Sequence, residues 1–190
     1  MYEYISGKLA SLTPATAVID CGGVGYLAEI TLNTYSAIQE KQEVRLWIHE
    51  VIREDAYLLY GFFSQAEREM FRLLLGVSGV GAATARMLLS SLSVKELGDA
   101  IASQDAKMVQ RVKGVGAKTA QRIVLELQDK VSSLGAEPGK APVAVSKNKE
   151  EALGALVMLG FPKAAADKVL QGIDNGLSVE EMIKEALKRL

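Results

Sequence analysis

The chain has 190 residues and a mass of 20.4 kDa, room for one medium domain or two to three small ones. Apolar residues are 49% and charged residues 24%, an ordinary globular composition, and no apolar run approaches the roughly 18 residues of a membrane span. A net charge of −1 argues against a general polyanion binder, a single cysteine excludes an internal disulfide, and Cys21 with the lone His49 falls short of a structural zinc site.

Residues 1–63 read as β. Tyr2–Ile5, Ala15–Asp20, Tyr26–Thr31 and Glu43–His49 are runs of β-branched and aromatic residues, separated by Gly7, Pro14, Gly22–Gly23 and Asn33. Glu43–His49 alternates almost strictly, placing Val44, Leu46 and Ile48 on one face. Five or six short strands predict a small barrel, of which the OB-fold is a common kind. Cys21, Trp47 and His49 are expected to be structural.

Residues 64–134 change period. Ser64 with Glu67 and Ser93 with Glu96 have capping-box spacing, so helices are expected to start at both. Met70, Phe71, Leu74 and Leu75 form an apolar stripe, and Met87 and Met108 are expected in the core alongside Met70. This segment carries 10 basic and 7 acidic residues, against 4 and 8 in the first 63. Lys107, Arg111, Lys113, Lys118 and Arg122 follow one another with no acid between them, a concentration suited to phosphates.

Within this segment lies an internal repeat. Leu73–Leu92 laid on Met108–Leu127 at an offset of 35 agrees at eight positions, with a shared core Gly-Val-Gly-Ala-x-Thr-Ala. Two copies favour a paired motif over a solenoid, which needs about three. The expected unit is helix, tight hairpin, helix. Gly79 and Gly81, or Gly114 and Gly116, supply positive φ and close approach, and Val80 or Val115 turns inward. Thr84 and Thr119 then sit in the first turn of a helix whose free N–H groups face outward. Phosphate is the natural anion there, with Lys118 and Arg122 adding charge-assisted contacts. A P-loop is not formed, since Ala117 separates Gly116 from Lys118 and Arg111 stands where a further glycine is required. Thr84 and Thr119 likewise replace the third glycine of a dinucleotide fingerprint.

Residues 135–147 have no pattern that could bury a face and read as a flexible linker. Residues 148–190 read as a three-helix bundle, with stretches near Lys149–Leu159 and Pro162–Gln171. A third follows Ser178, with Val179, Met182, Ile183, Ala186, Leu187 and Leu190 at helical spacing.

The paired hairpins resemble the helix-hairpin-helix motif, a binder of DNA backbones without sequence preference. Across the whole chain, the order of barrel, two hairpins, linker and small helical bundle resembles the RuvA family of bacterial Holliday-junction branch-migration proteins. That resemblance implies a multidomain α+β chain: OB-fold at 1–63, tandem helix-hairpin-helix domain at 64–134, linker, and a UBA-like bundle at 148–190. It implies a non-catalytic, cytoplasmic subunit acting without cofactors in recombination, repair and the SOS response. A homotetramer, or a pair of tetramers, would hold four-way junction DNA and recruit the hexameric ATPase RuvB, with the endonuclease RuvC a further partner. One departure stands out: Ala82–Ala83 occupies a place where family members often have Pro-Lys, leaving the first hairpin without its lysine.

Arg53–Ala56 followed by Leu58–Phe62 matches the family segment that carries an acidic pin, here Glu54 and Asp55. Two adjacent carboxylates repel a phosphate backbone, and eight of them around a fourfold axis would keep duplex out of the centre. A plain polar turn and a catalytic or metal-binding carboxylate pair are the competing readings, and a junction- or flap-processing nuclease is the alternative function the second would serve. Leu159–Gly160–Phe161 resembles the loop between the first two helices of UBA-like domains and is the expected partner-docking element.

Overall fold

The computed structural model describes residues 1–131 and 144–190, with residues 144–147 described by backbone alone. They fall into two compact units divided between Glu137 and Pro138. Most of the expected linker, 135–143, lies outside the described residues.

The first unit opens with β1 (Tyr4–Leu12), β2 (Thr16–Cys21) and β3 (Val24–Ile30), then α1 (Leu32–Ile38), β4 (Glu43–Ile52) and β5 (Tyr57–Phe62). The strands close into a barrel in the order β1-β2-β3-β5-β4. Period-two alternation turns Ile5, Ala17, Ile19, Ala28, Ile30, Val44, Leu46, Ile48 and Leu59 into one core. The expected OB-fold barrel is present.

Two details differ from the sequence reading. Gly7 does not break a strand. It lies inside β1, where a Cβ would sit 2.1 Å from the Asp20 carbonyl oxygen, so the strand crossing itself excludes a side chain. Between β3 and β4 the chain forms α1, capped by Thr31, whose hydroxyl accepts from the Thr34 amide at 3.0 Å.

Five helices follow: α2 (Gln65–Leu75), α3 (Ala82–Ser91), α4 (Val94–Ala102), α5 (Ala106–Gln110) and α6 (Ala117–Val131). They do not form a body separate from the barrel. Tyr60 and Phe62, on the outer side of β5, belong to the helical core, with ring centroids 5.1 and 4.9 Å from that of Phe71. His49 meets Phe71 edge-on at 5.4 Å, and its partial burial lowers its pKa, helped by Arg72 and Arg68. Met70 is fully buried, whereas Met87 is 45% exposed and is no part of this core.

Polar groups lock the same joint. The Ser93–Glu96 capping box forms in full, but that at Ser64 forms by half. Ser64 accepts from the Glu67 amide, while the Glu67 side chain turns to the barrel and accepts from the Thr31 and Thr34 hydroxyls. Arg68, equally buried, donates to the Glu3 carboxylate at 2.6 Å and the Glu3 carbonyl at 2.9 Å and lies over the Trp47 ring. From the same helix α1 Asn33 donates to the Leu89 and Leu92 carbonyls, capping the end of α3, and Arg86 pairs with Glu29 at 2.8 Å. The helix that follows the first hairpin is therefore held by the barrel wall.

The second unit contains α7 (Ala144–Met158), α8 (Lys163–Gln171) and α9 (Val179–Leu187) around Ala152, Leu156, Ala166, Leu170, Ile173, Met182 and Ala186. α7 begins at Ala144, so the last four residues expected as linker are helical. The Ser178–Glu181 capping box starts α9. Among the described residues no helix is long and apolar enough to cross a membrane.

Candidate nucleic-acid interface

The two copies of the repeat fold alike. Between α2 and α3 the Val80 amide donates to the Val77 carbonyl at 3.0 Å; between α5 and α6 the Val115 amide donates to Val112 at 3.1 Å. Each following helix starts with the same bond, Ala85 to Gly81 and Ala120 to Gly116, both 2.9 Å. Val80 and Val115 are each 6% exposed and pin their loops to the helical core.

The four glycines divide into two roles. Gly79 has φ 89° and Gly114 φ 90°, the left-handed region that favours glycine. Gly81 has φ −92°, which any residue can adopt, so positive φ is needed at the first glycine of the hairpin and not at Gly81. A Cβ at Gly81 or Gly116 would meet nothing within 4 Å. No group of this chain requires glycine at these two places; what their bareness leaves is access to the backbone. Gly81 caps α3 without any side-chain hydrogen bond, so the first-turn N–H groups there are not met by a capping side chain.

The cations lie on the open side. Lys107, Arg111, Lys113, Lys118 and Arg122 are all exposed, while Thr84 and Thr119 are half-buried. Arg122 does more than extend the second hairpin. Its guanidinium donates to the Ser78 carbonyl in the first hairpin at 3.4 Å. The first loop and α6 thereby border one cleft of about 430 Å³, lined by Ser78 and Gly79 on one side and by Lys118, Thr119, Arg122 and Leu125 on the other. Lys118 and Arg122 of α6 thus flank the first hairpin, which has no lysine of its own. Lys118, Arg122 and Leu125 are spaced to share one face of α6, so that half of the cleft is visible in the sequence; nothing in the sequence marks Ser78.

Glu54 and Asp55 sit elsewhere, exposed in the β4–β5 turn, which is closed by the Arg53 amide donating to the Ala56 carbonyl at 2.8 Å. Among the described residues no three of His, Cys, Asp or Glu come together as metal ligands would.

In the second unit, Gly160 has φ 98° and closes α7, with its own amide bonded to Val157 and that of Phe161 to Leu156. This pair of bonds is a Schellman stop, and Phe161 packs on the unit's core. Gly160 and Phe161 thus terminate a helix, and the exposed large side chain of the expected docking element is that of Leu159, 61% exposed, beside Met158 at 91% and Val157 at 41%.

Family comparisons cover nearly the whole chain. Residues 1–61 match the RuvA N-terminal domain, 71–129 the SAM-like helix-hairpin-helix tandem, and 147–190 the RuvA C-terminal domain. The chain belongs to the RuvA family. Relatives bearing the name Holliday junction branch migration complex subunit RuvA occur in Bacteroides thetaiotaomicron (50% identical over 201 residues), Christiangramia forsetii (46% over 193) and Porphyromonas gingivalis (44% over 202). Each comparison covers 100% of both chains. Within this RuvA-family frame the barrel positions α3, the first hairpin and α6 border a basic cleft, and the acidic turn belongs to the barrel.

Proposed function

We propose that this chain is a structure-selective DNA-binding subunit that holds four-way junctions for branch migration and has no catalysis of its own. The observation that carries this is the pair of matching hairpins together with the cationic cleft between the first of them and α6. Backbone amides and cations there offer phosphate contacts without reading bases, as binding by shape demands. The division of labour follows the segments: barrel with acidic turn at 1–63, phosphate binding by 64–134, a linker at 135–143, and docking of the RuvB motor by the helical unit that starts at Ala144. Four copies, or two sets of four, around a junction would bring Glu54 and Asp55 together at the centre, where they disfavour intact duplex. RuvC is the further partner, and the bacterial cytoplasm the setting.

The test is retardation of labelled four-way junction across a salt series. Lys118→Ala and Arg122→Ala should each flatten the slope of log K against log salt by about 0.9 for every phosphate that is no longer neutralised. Unchanged slopes would remove the hairpins from the interface. Incubation with Mg²⁺ decides the nuclease alternative: intact junction supports a scaffold, and cut strands would replace it with an enzyme.

A further inference from the structure

The β4–β5 hairpin carries residues at its tip that a phosphate-binding surface does not use. Ile52 and Tyr57 stand opposite each other in the last pair before the turn. They continue the face on which Leu59, opposite Glu50, enters the barrel core. Yet Ile52 is 71% and Tyr57 55% exposed. Tyr2, 39% exposed, joins them, since its backbone amide donates to Glu50 and its ring meets Tyr26 edge-on at 5.9 Å. The Tyr57 phenol is held above its ordinary pKa by desolvation first, then by the neighbouring Glu50 charge and Tyr2. Tyr2, Glu50 and Tyr57 are therefore neighbours in one cluster. The next residues outward, past Ile52 and Arg53, are Glu54 and Asp55.

Exposed aromatic rings beside carboxylates select strongly among ligands. The carboxylates disfavour a phosphodiester backbone, while the rings and Ile52 favour a flat, uncharged π face. A nucleobase has such a face, but in duplex its neighbours cover it. Only a base that has left its pair can use these rings.

We propose that Tyr2, Tyr57 and Ile52 form a stacking platform for bases unpaired at the centre of a branched DNA substrate. The acidic turn keeps the backbone away and the rings hold the base that is released. This rests on the reading of the chain as a junction binder and adds an attractive contact to a turn otherwise defined by repulsion. Base stacking of this kind corresponds to roughly five- to hundredfold in affinity for an unpaired base.

The experiment uses the full chain and four-way junctions carrying 2-aminopurine either at the crossover or within an arm. Tyr2→Leu with Tyr57→Leu keeps apolar bulk and removes both rings, and Tyr2→Phe with Tyr57→Phe keeps the rings. With wild type and the Phe pair, the crossover probe should stay quenched; with the Leu pair its emission should rise several-fold, and the arm probe should not respond. Equal crossover emission in all three proteins overturns the platform. So does a change in the native mass of the DNA-free Leu pair, which would make the patch an interface between copies. In the unsubstituted protein, 5-iodouracil at the crossover should crosslink to peptides holding Tyr2 or Tyr57, and adducts confined to other peptides would also overturn it. Retardation of the junction by wild type is scored separately. Its loss would refute junction binding itself, whereas its persistence with a silent probe refutes only the platform.

Discussion

Thr34 donates its hydroxyl to the Glu67 carboxylate at 2.8 Å, tying the barrel's α1 to the first turn of α2 across 33 residues of chain. Thr31 donates to the other oxygen, and the Phe63 amide donates to Thr34 at 3.0 Å. An ionised carboxylate at 4% exposure is costly unless fully hydrogen-bonded, and here two hydroxyls supply the bonds without a countercharge. The barrel and the first hairpin's leading helix therefore meet through a satisfied polar knot inside an apolar joint.

Burial raises the pKa of Glu67 above its ordinary 4.5, opposed by the Thr31 and Thr34 hydroxyls and the Phe63 amide. With a raised carboxyl pKa the folded protein keeps a proton that the unfolded chain has released. This group's contribution to stability is greatest below about pH 4.5 and declines as pH climbs through the folded pKa. Glu67→Gln has no such slope. The stability of wild type minus that of the Gln variant should fall with rising pH over this window and then level off, as followed by denaturant titration. Parallel curves would show that another group titrates. Glu67→Ala, which leaves two buried hydroxyls without an acceptor, should cost about 2–4 kcal/mol.

The glycines of the first hairpin can be separated by experiment. Gly79→Ala places a side chain at φ 89° and should cost about 1–3 kcal/mol of stability together with junction affinity. Gly81→Ala, at φ −92° with open space around it, should cost less than about 1 kcal/mol. If Gly81→Ala nonetheless weakens retardation of junction DNA as much as Gly79→Ala, the added methyl obstructs a ligand and not the fold. Full affinity for Gly81→Ala would mean the phosphate does not approach there.

The parts legible in the sequence are those set by local chemistry. Alternation in Glu43–His49, the caps at Ser93 and Ser178, and the repeated Gly-Val-Gly each depend on neighbours within a few residues, and each has the structure that spacing implies. The parts that were not legible depend on distant partners. Glu67 has capping-box spacing, but Thr31 and Thr34 compete successfully for its carboxylate. Gly7 has the composition of a break, but Asp20 on the neighbouring strand explains it. Met87 has helical core spacing, yet lies on the open side of α3. The bond from Arg122 to Ser78 joins two loops whose proximity exists only once α2 to α6 have packed.

The acidic turn reverses the usual sign of a charge substitution. Glu54→Gln with Asp55→Asn removes two exposed carboxylates that take part in no ion pair among the described residues. Stability should change by no more than about 0.5 kcal/mol. Affinity for plain duplex should rise, and the preference for junction over duplex should fall, most strongly at low salt where repulsion is least screened. A drop in duplex binding would mean that the acids support the turn instead of guarding it.

The second unit should be separable from DNA binding. Its buried residues form a core of their own, and those of the first unit are complete without it. Residues 135–190 carry 8 basic and 8 acidic side chains, so removing them leaves the net electrostatic pull on DNA unchanged. Lys118, Arg122 and both hairpins remain. Truncation after Leu134 should therefore keep junction retardation and its salt slope, while abolishing stimulation of the motor's ATPase and strand exchange driven by it. The small helical unit, 47 residues from Ala144 to Leu190, should be marginally stable alone and more stable when its partner is bound. Met158→Ser with Leu159→Ser, which alters exposed side chains only, should reproduce the loss of motor coupling in the full chain without touching DNA binding. Coupling that survives both changes would place the motor's docking surface on the barrel or the hairpins.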